Sequence, residues 1–259
     1  MALVPLGPPV LWRDLRRVTP ARLALGRAGN GLPTQAHLAF QAAHAAARDA
    51  VHAELDTEAL AADLAATNLS SFLVQSACPD RRTYLLRPDL GRRLAENQSL
   101  PPCPPSVPTD IAFVICDGLS ATAAQHHAAP LLAEVMPALG QSGPVVIARQ
   151  GRVALGDAIG AAMGAQAVVV LIGERPGLSS PDSLGAYLTW NPRPGRTDAE
   201  RNCISNIRSE GLAIPDGGEK LLWLIAAMRR LRLTGIGLKD EQPGRLETGQ
   251  KTSTSVIAT

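Results

Sequence analysis

IAFVICDGLSATAAQHHAAPLL (Ile111–Leu132), PVVIA (Pro144–Ala148) and AVVVLIGE (Ala167–Glu174) decide the fold of this chain. IAFVIC is a short, unbroken apolar run, the pattern of a parallel strand buried on both faces. Asp117-Gly118 turns the chain into an Ala- and Leu-rich helix expected to end near Gly140. PVVIA repeats the strand signal, Asp157 to Met163 reads as a shorter helix, and AVVVLIG is the strongest strand in the sequence. Two βαβ units in succession predict an α/β fold. The expectation is a Rossmann-like or flavodoxin-like parallel sheet with helices on both faces, because parallel strands need crossovers. Right-handed crossovers bring the loops after each strand to one edge, where open α/β sheets bind ligands. Three loops should meet there: Asp117 to Ser120, Arg149 to Leu155 and Glu174 to Ser183.

Working outward, Leu11 to about Leu64 reads as helical, with FQAAHAAARDAVHAEL (Phe40–Leu55) high in helix propensity. Gly26, Gly29, Asn30, Gly31 and Pro33 break it into two helices, and Asp56-Thr57 supplies a cap for a further one. Cys78 to Leu94 is basic and turn-rich, and LPPCPPSVPTD reads as a Pro-rich linker. The expected organisation is an N-terminal helical region with linker (residues 1–105), a Rossmann-like domain (106–240) and a disordered tail (241–259). Between Gly173 and Asn206 the chain reads as one long non-helical stretch, a length that signals either function or a missed element. LLWLIAAMRRLRL (Leu221–Leu233) closes the domain as an amphipathic helix.

The 259 residues are 46% hydrophobic but only 3% aromatic, so the core is built from Ala, Leu, Val and Ile. A net charge of +2 from 25 basic and 23 acidic residues lacks the asymmetry of a nucleic-acid binder. No apolar run reaches the roughly 18 residues that cross a bilayer, and no signal-peptide pattern opens the chain. A cytoplasmic protein is expected. Cys78, Cys103, Cys116 and Cys203 are scattered without metal-site spacing, which predicts free thiols and no metal site.

Candidate chemistry is sparse. GRAGNG (Gly26–Gly31) follows no strand, so it reads as an interhelical loop rather than a phosphate cradle. His126 and His127 are adjacent on a helix and cannot share a face. His44 and His52 lack a third ligand. Asp117, after a buried strand, has two readings of equal weight, a helix cap or a ligand contact. Glu174, at the end of the strongest strand, is a spacer or an acceptor of ligand hydrogen bonds, and its position favours the acceptor. Cys203 reads as a small hydrophobe rather than a nucleophile. The chain therefore presents a binding edge without a catalytic set of acid, base and nucleophile.

Five stretches together resemble the small (light) subunit of ethanolamine ammonia-lyase. They are LRRVTPARLALGRAGNGLPTQAHLAFQAAHAAARDAVH (Leu15–His52), YLLRPDLGRRL (Tyr84–Leu94), DIAFVICDGLSATAAQHHAAPLL (Asp110–Leu132), the run from GRVALGD to RNCISNI (Gly151–Ile207), and LTGIGLKD (Leu233–Asp240). The resemblance implies a subunit of an adenosylcobalamin-dependent lyase that converts ethanolamine to acetaldehyde and ammonia by radical chemistry. It implies a large TIM-barrel subunit as partner, holding substrate and the catalytic side chains. This chain would cover the cobalamin within a hetero-oligomer, in the cytoplasm or inside a bacterial microcompartment. Carried over motif by motif, it assigns cofactor contacts to Val153 in GRVALGD, Glu174 in LIGERPG and Cys203 in RNCISNI, and no catalytic residue. The loop starting Asp117-Gly118-Leu119 lacks the Asp-x-His-x-x-Gly motif of domains that replace the cofactor's lower base. A base-on cofactor is therefore expected. The N-terminal helices either pad the sheet or dock on the partner.

Two rival readings stand beside this one. A stand-alone nucleotide or flavin binder would bind its ligand with no partner, and the missing phosphate loop counts against it. A scaffold protein would need only the N-terminal helices.

Overall fold

The computed structural model describes residues 10–96, 98, 100, 111–140 and 144–242. The apolar runs form strands because their alternate side chains can enter two separate layers. Strands β2 (Ile111–Cys116) and β4 (Ala167–Gly173) are buried at every position. Phe113, Ile115, Val169 and Leu171 point into one layer, Val114, Cys116, Val168 and Val170 into the other. The first layer is covered by α3 (Thr57–Ala66), α5 (Ala121–Leu139) and α7 (Ile214–Leu231), through Leu60, Leu131, Leu132 and Leu224. The second is covered by α6 (Leu155–Met163), through Leu155 and Ile159. The protein is thus α/β, with helices on both faces of the sheet.

The sheet has six strands in the order β1-β3-β2-β4-β5-β6. With β1 (Ser71–Gln75) and β3 (Val145–Arg149), the four strands β1, β3, β2 and β4 run parallel. The expected parallel arrangement holds for these four, while β5 (Leu184–Trp190) and β6 (Asn202–Ile207) add as antiparallel strands, so the sheet is mixed. The links from β4 to β5 and from β5 to β6 are too short to hold a crossover helix, so the chain must reverse. The long stretch expected to be non-helical therefore holds two strands, and its one helical element is a 3-10 turn at Asp198–Glu200. Its signal was present in LGAYLTW, where Leu184, Ala186 and Leu188 alternate into the core.

The N-terminal segment is helical, as α1 (Val10–Val18), α2 (Thr34–His52) and α3, with the Ala28–Gly31 turn between the first two. Asp56 caps α3, its Oδ1 accepting from the backbone N–H groups of Glu58 and Ala59 at 3.2 and 3.0 Å. β1 was not anticipated. SFLVQ is a five-residue edge strand, half-exposed, and too mixed in pattern to stand out. It is followed by α4 (Arg81–Leu86) and a single 3-10 turn at Leu90–Arg92. The Pro-rich linker (residues 101–110) and the tail (243–259) lie outside the described residues. α2 buries only Ala50, while Trp12, Leu38 and Phe40 are exposed. These two helices do little to cover the sheet.

One buried ion pair joins α6 to the start of β6. Arg201 Nη1 donates to Asp157 Oδ1 at 2.7 Å and Nη2 to Oδ2 at 2.6 Å, with Thr189 Oγ1 as a further acceptor at 2.8 Å. Both side chains are essentially sealed from solvent. Breaking one partner strands the other charge, which costs about 3–5 kcal/mol. Asp157→Ala should lower the unfolding free energy in urea by about that amount, and the paired Asp157→Leu/Arg201→Met change should recover most of it.

Candidate functional site

The edge where the parallel strands end is built by backbone packed against backbone. A Cβ on Gly173 would lie 1.9 Å from the Ser120 carbonyl oxygen, and one on Gly118 would lie 2.2 Å from that of Gly173. Leu119 N–H donates to the Gly173 carbonyl at 2.9 Å. Gly118 also sits at φ +58°, which favours glycine further. No side chain can intrude at this seam, so the loops after β2 and β4 are held together.

Asp117 ties in the third loop. Its Oδ1 accepts from Gly118 N–H and Gly151 N–H at 2.9 and 3.0 Å, and its Oδ2 from Gln150 N–H at 2.9 Å. Neither of its expected roles is observed. Ser120 caps α5 instead, through Oγ accepting from Ala123 N–H, and Asp117 is buried and absent from the wall of the cavity that these loops enclose. Arg81 lies 3.7 Å from Asp117 Oδ2, and donates to the carbonyls of Val51 and Gly118 at 2.7 Å each. Burial pushes the Asp117 carboxyl up to about 6, opposed by the Arg81 guanidinium and the three backbone N–H groups.

The three loops enclose a cavity of about 480 Å³. Leu119 comes from the first loop, Arg152, Val153 and Ala154 from the second, Gly173, Glu174 and Arg175 from the third. Ile172, Tyr84, Arg92, Tyr187 and Asp198 complete the wall. Tyr84 is buried and its hydroxyl donates to the Gly151 carbonyl at 3.3 Å. Its ring is sandwiched between the guanidinium carbons of Arg81 at 4.8 Å and Arg152 at 4.5 Å. Desolvation raises the Tyr84 phenol, which therefore stays protonated.

Of the three residues singled out from the sequence, two share this cavity. Val153 is half-buried, packed on the α6-side layer and facing the opening. Glu174 Oε2 accepts from Ser183 Oγ at 2.5 Å and Asn206 N–H at 3.0 Å. Among the described residues no hydrogen bond reaches its Oε1. Cys203 is not in the wall. It lies on edge strand β6, opposite Tyr187, with Sγ 3.3 Å from Ser205 Oγ. Its strand partner Tyr187 does line the cavity. Tyr84 and Arg92 went unnoticed because they precede the linker in sequence, and Tyr187 because its strand went unread. Arg152 stands beside Val153, and the segment carrying Arg92 was conspicuous only for its charge.

The wall holds no acid–base–nucleophile set. Cys116 is sealed and its thiol raised by burial. Elsewhere His127 meets Asp182 at 3.4 Å. Among the described residues no group of three or more His, Cys, Asp or Glu could hold a metal ion, and no helix is long and apolar enough to cross a membrane.

Fold and cavity together define an α/β protein that offers a ligand-sized opening at the carboxyl edge of its sheet. Residues 10–239 match the family model for the ethanolamine ammonia-lyase light chain (EutC). Proteins called ethanolamine ammonia-lyase small subunit are similar throughout. That of Azotobacter vinelandii is 54% identical over 243 residues, covering 89% of this chain and 88% of its own length. That of Ralstonia nicotianae is 52% identical over 250 residues, 93% and 92% of the two chains. That of Xanthomonas campestris pv. campestris (strain B100) is 52% identical over 238 residues, 89% and 88%. The chain belongs to the ethanolamine ammonia-lyase light-chain family.

The raised Asp117 carboxyl makes stability depend on pH. A folded-state value above the unfolded 3.8 means the stabilisation is complete below 3.8 and is lost as pH rises through about 6. The stability advantage of the parent over Asp117→Asn should therefore shrink by about 3 kcal/mol between pH 4 and pH 7.5. Denaturant titrations of both proteins across that range check it, and a difference independent of pH would show that burial does not dominate.

Proposed function

We propose that this chain is the cofactor-covering subunit of an adenosylcobalamin-dependent ethanolamine ammonia-lyase, completed by a large subunit. The observation that carries the reading is that Val153 and Glu174, on separate loops, line one cavity at the carboxyl edge of the sheet. The residues present suit the cofactor. A corrinoid needs apolar contact with a few polar anchors. Val153, Leu119 and Ile172 supply the apolar wall, Glu174 an acceptor, and the arginines donors. A corrin with all its side chains is larger than the cavity, so a second polypeptide must close the site. Cys203 would contact the cofactor from β6, next to Tyr187.

The chemistry brought by such a cofactor is radical formation at its cobalt–carbon bond. The chain's own part is to bind and orient. Glu174, held by Ser183 and Asn206, keeps Oε1 available for an amide or hydroxyl donor. Asp117 and the glycine seam hold the loops at fixed separation. The lower base is the cofactor's own, since the loop after β2 carries no histidine to replace it. Exposed Trp12, Leu38 and Phe40 suit α1 and α2 to docking on the large subunit in a hetero-oligomer, with residues 106–240, joined by Tyr84 and Arg92, carrying the cofactor side. That assembly belongs in the cytoplasm, free or within a microcompartment.

Co-purification with the cognate large subunit tests the whole reading. The complex should carry the visible spectrum of a bound corrinoid and deaminate ethanolamine, whereas this chain alone should turn over nothing. Activity of the isolated chain would overturn it. Glu174→Ala in the complex should weaken cobalamin binding by about 1–3 kcal/mol, by leaving a buried ligand donor unpaired. Removing residues 1–33 should leave the melting temperature of the isolated chain within a few degrees, yet abolish the complex on size exclusion.

A further inference from the structure

Three arginines line the cavity from three separate segments: Arg92 from the 3-10 turn, Arg152 from the loop after β3, and Arg175 from the loop after β4. Their convergence is built. Arg152 N–H donates to the Gly91 carbonyl at 2.8 Å, which pins the turn bearing Arg92 against the Arg152 loop. A Cβ on Gly91 would come within 3.1 Å of Arg152 Cγ and 3.2 Å of the Gln150 carbonyl oxygen, so the approach is tight. Arg152 is laid flat on the Tyr84 ring at 4.5 Å, and its Nη2 donates to the Tyr84 carbonyl at 3.1 Å. Its Nε is buried with no acceptor.

No carboxylate neutralises this group. Among the described residues neither the Arg92 nor the Arg175 side chain makes an ion pair or hydrogen bond. Two acids share the wall, Glu174, held by Ser183 and Asn206, and the exposed Asp198, 3.5 Å from Arg201, and neither forms an ion pair with these three arginines. Uncompensated guanidinium forks around one opening are a site for an oxyanion, and phosphate matches their geometry. The volume of about 480 Å³ suits a nucleotide-sized appendage and not a corrin ring, which would have to lie across the mouth.

We propose that Arg92, Arg152 and Arg175 form a phosphate subsite that grips the phosphodiester of the cofactor's nucleotide tail. The inference rests on the cobalamin-covering reading above and adds to it which part of the cofactor enters this chain. It also makes the arginines specificity-determining, because they discriminate complete cobalamins from corrinoids without the tail.

The test uses the complex with the large subunit and equilibrium dialysis of three probes. They are cyanocobalamin, cobinamide phosphate (phosphate present, ribose and base absent) and cobinamide (no phosphate). Arg92→Gln/Arg175→Gln changes two exposed side chains and should leave the fold intact, and Arg152→Lys keeps the charge but loses the fork. The double variant should bind cyanocobalamin and cobinamide phosphate at least about tenfold more weakly, with cobinamide binding unchanged, and Arg152→Lys should follow the same pattern. Equal weakening of all three probes, or of none, would overturn the subsite while leaving the cofactor reading in place. An unaltered complex that binds none of the probes would instead remove the cofactor reading, and the subsite with it. Melting of the isolated chain with inorganic phosphate separates the other source of the same chemistry. Stabilisation that the double variant loses, without discrimination among the corrinoids, would assign the arginines to a free anion.

Discussion

The seam between the loops after β2 and β4 is the constraint on which the rest of the structure depends. There Gly118 and Gly173 let two backbones approach with no room for a Cβ, and the buried Asp117 carboxyl draws in the loop after β3 with two further backbone N–H groups. The cavity exists because these three loops cannot drift apart. It is lined by side chains just beyond the seam, so its shape follows from the backbone rather than from flexible side chains. The cost is a carboxyl held in a dry environment beside a buried arginine, Arg81, whose Nη2 finds no partner.

This arrangement separates binding from chemistry. The sheet and helices bury Ala, Val, Leu and Ile in two apolar layers, and the polar groups that remain at the edge are anchors: guanidinium groups, one carboxylate with a free oxygen, and phenols. Nothing in the wall pairs a nucleophile with a base. A subunit that binds one side of a reactive cofactor has no need of such a pair, because placement and exclusion of water are its contributions. The same economy extends to the N-terminus, where α1 and α2 present apolar residues outward instead of covering the sheet, an arrangement stable in water only at modest exposed area.

Much of the fold was legible without coordinates. β2, β3, β4, α5 and α6 announce themselves through unbroken apolar runs and Ala-rich stretches, and Asp56 was identifiable as a cap. β1 and the β5–β6 pair were not, for different reasons. SFLVQ lies at an exposed edge where burial imposes little pattern. LGAYLTW does alternate, but the Pro- and Gly-rich segments around it read as loop. The sheet becomes antiparallel there, since a chain with too few residues for a crossover must turn back on itself.

Within the cavity, Glu174 was readable as a site residue because it sits immediately after a strand, at a position the α/β topology reserves for ligands, whereas Val153, in the loop after β3, was placed by resemblance. Cys203 was placed by resemblance too, and lies on β6 opposite Tyr187, outside the lining. Tyr84, Arg92 and Tyr187 could not be found in this way. What the sequence by itself determined was the α/β core, the edge at which a ligand would sit and the family, since apolar periodicity and motif order are local properties. Only the tertiary structure decided which side chains share the cavity. Contacts such as Tyr84 to Gly151 join residues 67 positions apart, and no local pattern records a distance that packing alone brings to zero.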